Sequence, residues 1–198
     1  MGATPASEIV LKARPTADGP EAPFAPAPID EVIATIEREK PDIVFAPHVE
    51  TSAGIILPDD YLCTVADAVH SVGGLFVLDC VASGAIWIDM QACGIDLLIS
   101  APQKGLSGPS CAGLVMLSQA ARNRLTETAS SSFAVNLQKW VDIMESYESG
   151  TYSYHATMPT DALAKFRNVL AEIGAYGFDQ AKARQQEMGD RVRALLAE

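Results

Sequence analysis

Three polar segments follow short apolar runs in the first half of the chain. They are His48–Gly54, Asp79–Ser83 and Ser100–Gly105. If the apolar runs are neighbouring parallel strands, their carboxyl ends meet at one crevice, where open parallel sheets bind their ligands. The sequence therefore predicts a lysine, a carboxylate and several hydroxyl groups around a single crevice.

This combination of groups has a specific chemical use. The amine of a lysine such as Lys104 can form a Schiff base with an aldehyde. A carboxylate such as that of Asp79 can keep a pyridine nitrogen protonated, so that the ring accepts the electrons of a carbanion. Hydroxyl groups and a helix N-terminus can bind a phenolate oxygen and a phosphate. Taken singly, a lysine after a strand is usually a surface residue and an aspartate there usually ends a turn, but together these groups are what a pyridoxal phosphate site requires.

Apolar runs that alternate with amphipathic helices must position these groups. Such strands and helices predict an α/β fold with a mostly parallel sheet that is covered by helices on both faces. The predicted strands are Ile43–Pro47, Leu75–Asp79, Asp96–Ser100 and Gly113–Leu117, with a possible edge strand at Glu8–Leu11. The predicted helices begin near Asp30, near Tyr61 and near Met90, and two longer helices cover about 161–174 and 178–196.

The chain divides into three parts by composition. Residues 1–28 hold six of the twelve prolines and are predicted to be an extended lead-in. Residues 29–174 carry the alternating pattern and are predicted to form the ligand-binding portion of a large domain. Residues 175–198 are predicted to be a connector helix towards a C-terminal domain that lies outside this sequence.

Charge and cysteine content exclude several classes of protein. The formal net charge of −11 over 198 residues argues against binding to nucleic acid or to an anionic membrane. No apolar stretch is long enough for a membrane helix and no secretory signal is recognisable, so we expect a cytoplasmic protein. The four cysteines lack the spacing of a zinc site, so we expect no metal site and free thiols.

Four motifs give the chain a family resemblance. They are His48-x-Glu50-Thr51-Ser52-x-Gly54, Asp79-x-Val81-Ala82-Ser83, Ser100-x-x-Gln103-Lys104 and Tyr154-His155-x-Thr157-x-Pro159. On these motifs, roughly residues 29–170 resemble the class V aminotransferases, which are fold type I pyridoxal phosphate enzymes. The resemblance is greatest to their alanine–glyoxylate and serine–pyruvate branch.

The resemblance implies a role for each residue of the site. Lys104 matches the Schiff-base lysine, and Asp79 matches the acid at the pyridine nitrogen. Val81 matches the residue that packs on the ring. The remaining matches are Thr51 near the phenolate oxygen, Gln103 at the phosphate, and Tyr154 and Thr157 at the phosphate held by a partner subunit. His48 and Glu50 are expected to be structural.

The implied activity is the transfer of an amino group between a small amino acid of the alanine or serine type and a 2-oxo acid such as glyoxylate or pyruvate. Pyridoxal 5′-phosphate is the implied cofactor, and the implied full-length assembly is a homodimer. Neither nucleic acid nor a membrane is an expected partner.

Three alternatives remain open. A lyase or cysteine desulfurase of the same fold is one, although those relatives typically have His before the lysine, where this chain has Gln103. A non-catalytic α/β interaction domain is another. Full-length relatives are about twice as long, so the chain is also expected to be a fragment, which could have no activity of its own.

Overall fold

The computed structural model describes residues 8–197. In this part of the chain the strands are β1 (Arg14–Pro15), β2 (Phe24–Ala25), β3 (Ile43–Pro47), β4 (Val49–Glu50), β5 (Ile55–Ile56), β6 (Leu75–Asp79), β7 (Leu97–Ser100) and β8 (Leu114–Leu117). The helices are α1 (Ile29–Glu39), α2 (Asp59–Ser71), α3 (Gln119–Thr126), α4 (Leu137–Glu148), α5 (Thr160–Tyr176) and α6 (Phe178–Leu196).

A four-stranded sheet in the order β3-β6-β7-β8 carries the fold. The strands β3, β6 and β7 are parallel, and β8 is antiparallel to β7. The predicted α/β fold with a mostly parallel sheet is therefore confirmed. Parallel neighbours need a crossover connection, and α2 supplies it between β3 and β6.

One face of the sheet packs against α1 and α2 and forms the core. Phe76 and Leu78 of β6 point to this face and are fully buried. The helix α2 buries Leu62, Val65 and Val69, which recur at the three- and four-residue spacing of one helix face. Each large apolar side chain that is buried in this way contributes about 1.5–3 kcal/mol.

The opposite face of the sheet is more open. Ile43 and Phe45 alternate with the inward-facing residues of β3, and their side chains are 59% and 58% exposed. β3 is also an edge strand of the sheet. Apolar side chains are thus presented to solvent along one edge of the sheet.

Prolines flank three of the four ends of the first two helices. α1 begins after Pro28 and ends at Glu39, and its cap residue Lys40, just before Pro41, has a left-handed backbone with φ +45°. α2 begins after Pro58. Near the C-terminus, Gly177 with φ +104° separates α5 from α6, a backbone angle that favours glycine.

Two local predictions are wrong. Residues Glu8–Leu11 form no strand, and the short antiparallel pair in this region is β1 with β2 instead. The segment near Met90 is a series of turns and not a helix. Its conformation is stabilised by the Asp89 carboxylate, which accepts a hydrogen bond of 2.9 Å from the Ala92 N–H.

The expectation of four free thiols is also wrong. Cys63 on α2 is bonded to Cys93 in the turn before β7, across a sequence separation of 30 residues. The core brings these two segments together, which sequence spacing alone does not show. Cys80 and Cys111 are free.

The amino end of the sheet is fixed by a buried carboxylate. Asp96 Oδ2 accepts hydrogen bonds from His70 Nε2 at 2.7 Å and from the Phe76 N–H at 2.9 Å. Its Oδ1 accepts one from Ser118 Oγ at 2.8 Å. One carboxylate therefore connects α2, β6 and the start of α3 at the end of the sheet opposite to the predicted site.

None of the helices described over residues 8–197 is both long enough and apolar enough to cross a membrane. The cytoplasmic location and the division into residues 1–28, 29–174 and 175–198 stay predictions.

Candidate active site

The three predicted segments leave the sheet side by side. In the register of the strands, Pro47 at the end of β3 is paired with Asp79 at the end of β6, and Asp79 is paired with Ile99 of β7. Adjacent strands lie about 4.8 Å apart. The segments that contain Thr51, Asp79 and Lys104 therefore begin within two strand widths of each other.

Asp79 is the last residue of the central strand of this group. Its backbone C=O accepts a hydrogen bond of 2.9 Å from the His48 N–H. Its Oδ1 accepts one of 2.9 Å from the N–H of Val81, which turns the chain away from the sheet. Asp79 is half-buried, and among residues 8–197 no donor is bonded to its Oδ2, so this oxygen can accept a hydrogen bond from a ligand.

Lys104 lies in a tight loop after β7. The Ser107 N–H donates to the Lys104 C=O at 3.0 Å, and the Gly108 N–H donates to the Pro102 C=O at 2.8 Å. Pro102 is fully buried and anchors the loop, whereas Lys104 and Gln103 are exposed. The backbone is thus held while the amine remains accessible.

The loop after β7 that carries Lys104 contacts the loop that follows Asp79 at the end of β6. We call them the Lys104 loop and the Asp79 loop. A Cβ placed on Gly105 would be 2.1 Å from the backbone carbon of Gly84, which is closer than real Cβ atoms approach. Glycine is required here because two backbones meet without a side chain between them. This contact sets the distance between the segments that carry Lys104 and Asp79.

Thr51 lies at the tip of a small hairpin made by β4 and β5. The Glu50 carboxylate accepts a hydrogen bond of 2.7 Å from the Ser52 N–H and so shapes the turn. Gly54 closes the turn with φ +68°. The side chain of Glu50 therefore has a structural contact, while Thr51 is exposed at the tip.

His48 connects the hairpin to the Asp79 loop from inside. Its ring is only 1% exposed, and Nδ1 lies 2.7 Å from Ser83 Oγ. Nε2 is buried with no hydrogen-bond partner among the described residues. Burial lowers the pKa of His48, an effect that the carboxylate of Asp59 opposes and the ammonium of Lys182 reinforces. We therefore assign a neutral ring, whose Nδ1 shares a hydrogen bond with the Ser83 hydroxyl.

Tyr154 and Thr157 lie away from the sheet, between α4 and α5. Their hydroxyl oxygens are 3.1 Å apart, and the Tyr154 side chain is 65% exposed. His155 between them anchors the segment, because its Nε2 lies 2.9 Å from the Phe133 C=O and its ring contacts those of Phe133 and Trp140. The structure brings the two hydroxyl groups together, on a surface of the chain.

Comparison with known proteins identifies the family. The sequence description of the family "Aminotransferase class-V" matches residues 25–198. The chain belongs to the class V aminotransferases. This confirms the family resemblance found in the motifs, and membership of this family implies pyridoxal phosphate as the cofactor.

Individual class V aminotransferases match the chain over most of its length. Alanine–glyoxylate aminotransferase of Oryctolagus cuniculus is 29% identical over 175 residues, which are 86% of this chain and 43% of that protein. A 2-aminoethylphosphonate–pyruvate transaminase of Paraburkholderia xenovorans is 34% identical over 136 residues, 68% of this chain and 35% of that protein. The chain thus spans less than half the length of the curated relatives that it matches.

A solved structure shows the same fold. The crystal structure of an alanine–glyoxylate aminotransferase from Nostoc sp. superposes with a TM-score of 0.73 at 25% identity. The match covers 84% of this chain and 44% of that one.

The arrangement fits the cofactor in two respects. Lys104 offers an exposed amine that is in no ion pair within residues 8–197, and Asp79 Oδ2 is open to a donor. Sequence reasoning missed Gln185 of α6, whose side chain contacts the Asp79 loop across 100 residues of sequence. No local pattern could have indicated a contact of that separation.

Proposed function

We propose that this chain is the cofactor-binding core of a pyridoxal phosphate-dependent aminotransferase, with Lys104 as the lysine that binds the cofactor covalently. The observation that carries the proposal is the register that aligns Pro47, Asp79 and Ile99. It starts the three motif segments at one edge of the sheet, and the Gly84–Gly105 contact holds two of them together.

The proposed division of labour follows from the chemistry of the side chains. The bound cofactor supplies an electron sink for the carbanion formed at the substrate Cα. Lys104 Nζ, as a neutral amine, would take the proton from that Cα and deliver it to the C4′ carbon of the cofactor. Asp79 Oδ2 accepts a hydrogen bond from the pyridine N–H and stabilises its positive charge. Val81 packs on the ring, while Thr51 and Gln103 donate to the phenolate and phosphate oxygens.

The proposed reaction moves an amino group from a small amino acid to a 2-oxo acid. The two relatives described above are named for glyoxylate and for pyruvate, so we propose one of these two acids as the acceptor. The donor is tested by incubating the chain and cofactor with alanine or serine and following the loss of the 2-oxo acid.

Lysine labelling tests the central claim. The chain is incubated with pyridoxal phosphate, reduced with borohydride and digested, and the label is located by mass spectrometry. We expect the label at Lys104, and we expect Lys104→Met to abolish the visible absorption band that the wild type acquires with the cofactor. Lys165→Met, at an exposed position on α5, is the control and should keep the band. Labelling spread evenly over the exposed lysines would refute the proposal.

We also propose that the working assembly is a homodimer in which Tyr154 and Thr157 bind the phosphate of the partner subunit's cofactor. Their exposure and their location away from the sheet support a role outside their own subunit. In mixed dimers of Lys104→Ala and of Tyr154→Phe with Thr157→Val, activity should return, because one site regains an intact lysine and an intact hydroxyl pair. Mixed dimers that form but stay inactive would refute this role.

The cysteines do not support the desulfurase alternative. Burial raises the pKa of Cys80 to about 11, so its thiol stays protonated. Cys63 and Cys93 are bonded to each other. Cys111 is half-buried in the segment before β8.

A further inference from the structure

Helix α6 is hydrogen-bonded to the loop that follows Asp79. The side-chain oxygen of Gln185 accepts a hydrogen bond from the Ala85 N–H. The side-chain nitrogen of the same residue donates to the Ser83 C=O at 3.4 Å. The Gln185 amide group is thus hydrogen-bonded to the residues immediately before and after Gly84.

Two further contacts hold the same loop. Lys182 Nζ donates to the Trp87 C=O at 2.7 Å, and Trp87 Nε1 donates to the Phe178 C=O at 2.9 Å. The rings of Trp87 and Phe178 pack edge to face with centroids 5.7 Å apart. Phe178, Lys182 and Gln185 are four and three residues apart, so they lie on one face of α6. This face therefore binds the loop along its length.

Gly84 transmits the contact to the lysine loop. A Cβ placed on Gly84 would be 2.2 Å from the Gln185 side chain, and a Cβ on Gly105 would be 2.1 Å from the Gly84 backbone. Gln185, Gly84 and Gly105 are therefore stacked with no space between them. If Gln185 moves, Gly84 is free to move, and Gly105 with the adjacent Lys104 loses its support.

We propose that Gln185 is a positioning residue that holds Gly84 against Gly105 and thereby fixes Lys104 relative to Asp79. This deepens the proposed function and rests on it, because it assigns to α6 control over how Lys104 is presented to the cofactor. A displacement of α6 would change the reactivity of the lysine without any contact between the helix and the cofactor.

Amide exchange tests the coupling without any cofactor. The variant is Gln185→Met, which keeps the length of the side chain and removes its polar atoms. The matched control is Gln186→Met, at the neighbouring exposed position. We expect exchange at Ala85 to be at least tenfold faster in Gln185→Met and exchange at Ser107 and Gly108 to be severalfold faster. Both should be unchanged in the control.

A reference amide and a conservative variant exclude a general loss of stability. The Phe76 N–H, bonded to Asp96 at the other end of the sheet, should exchange at the same rate in all variants. Gln185→Glu keeps an acceptor for Ala85 and should restore most of the protection there. If Ser107 and Gly108 exchange as in the wild type while Ala85 is faster, the coupling is absent and the proposal is wrong.

Borohydride labelling then connects the coupling to the lysine. At limiting pyridoxal phosphate, Gln185→Met should label Lys104 severalfold less than Gln186→Met. Faster exchange with unchanged labelling would overturn the positioning role. If the wild type itself is not labelled at Lys104, the proposed function fails, and the exchange rates still decide whether Gln185 holds the lysine loop.

Discussion

Protonation of His48 should destabilise the fold as the pH falls. Burial lowers the pKa of this ring below its ordinary value of 6.5. The protonated ring carries an N–H on both nitrogens, and at Nε2 no acceptor is present among the described residues. Between the pKa of the folded state and 6.5, the unfolded chain therefore binds a proton on His48 that the folded chain does not bind.

The sign of the effect follows from proton counting. Below pH 6.5 the unfolded state binds the proton, and the folded state binds it only below its own lower pKa. The free energy of unfolding is thus fully retained above pH 6.5 and decreases between the two pKa values, by up to about 1.4 kcal/mol per pH unit. The loss stops once the pH is below the pKa of the folded state.

Denaturant unfolding between pH 8 and pH 5 measures this effect. His48→Gln loses the hydrogen bond to Ser83 and should be less stable at pH 8, by about 1–3 kcal/mol. Its stability should then decrease less than that of the wild type as the pH falls. His155→Gln removes the histidine between Tyr154 and Thr157 and keeps His48. The free energy of unfolding of this variant should therefore decrease between pH 8 and pH 5 by as much as that of the wild type. An equal decrease in His48→Gln and the wild type would refute the reasoning.

Three further predictions concern the two ends of the sheet. Asp96→Ala leaves the buried Phe76 N–H without an acceptor and should lower the free energy of unfolding, measured in urea, by about 3 kcal/mol or more. The borohydride label should stay on Lys104. An unchanged urea midpoint would contradict this prediction. Reduction of the Cys63–Cys93 bond should cost about 2–4 kcal/mol in the same assay, and Cys63→Ser should then be insensitive to reductant. Asp79→Asn should slow amino transfer on the order of 100-fold, about 2.7 kcal/mol of barrier, with little change in melting temperature without cofactor. Near-normal turnover would rule out its assigned role.

The sequence predicted the sheet well because its signals are local. The strands β3, β6, β7 and β8 are continuous apolar runs, and prolines mark where α1 and α2 begin. Because each of the three motif segments directly follows such a strand, the sequence was enough to place the first residues of all three at one edge of the sheet. The antiparallel direction of β8 and the two-residue strands β4 and β5 were not predicted, because such short segments show no periodicity.

The contacts that the sequence could not predict join distant segments. The Gln185 side chain meets the Asp79 loop across 100 residues, and a glutamine on a polar helix is ordinarily a solvent-exposed residue. The bond between Cys63 and Cys93 depends on how the turn before β7 folds back onto α2. The contact between Gly84 and Gly105 depends on two loops that are irregular in structure.

The exposed apolar side of β3 bears on how copies of the chain behave in concentrated solution. The exposed apolar side chains of Ile43 and Phe45 lie on the edge strand β3, and such a surface favours association between copies of the chain. The whole chain carries a formal net charge of −11, so two copies repel each other at low ionic strength. At 1 M salt the screening length shrinks to about 3 Å. Colloidal stability therefore depends on electrostatic repulsion between like-charged chains, and added salt promotes their self-association.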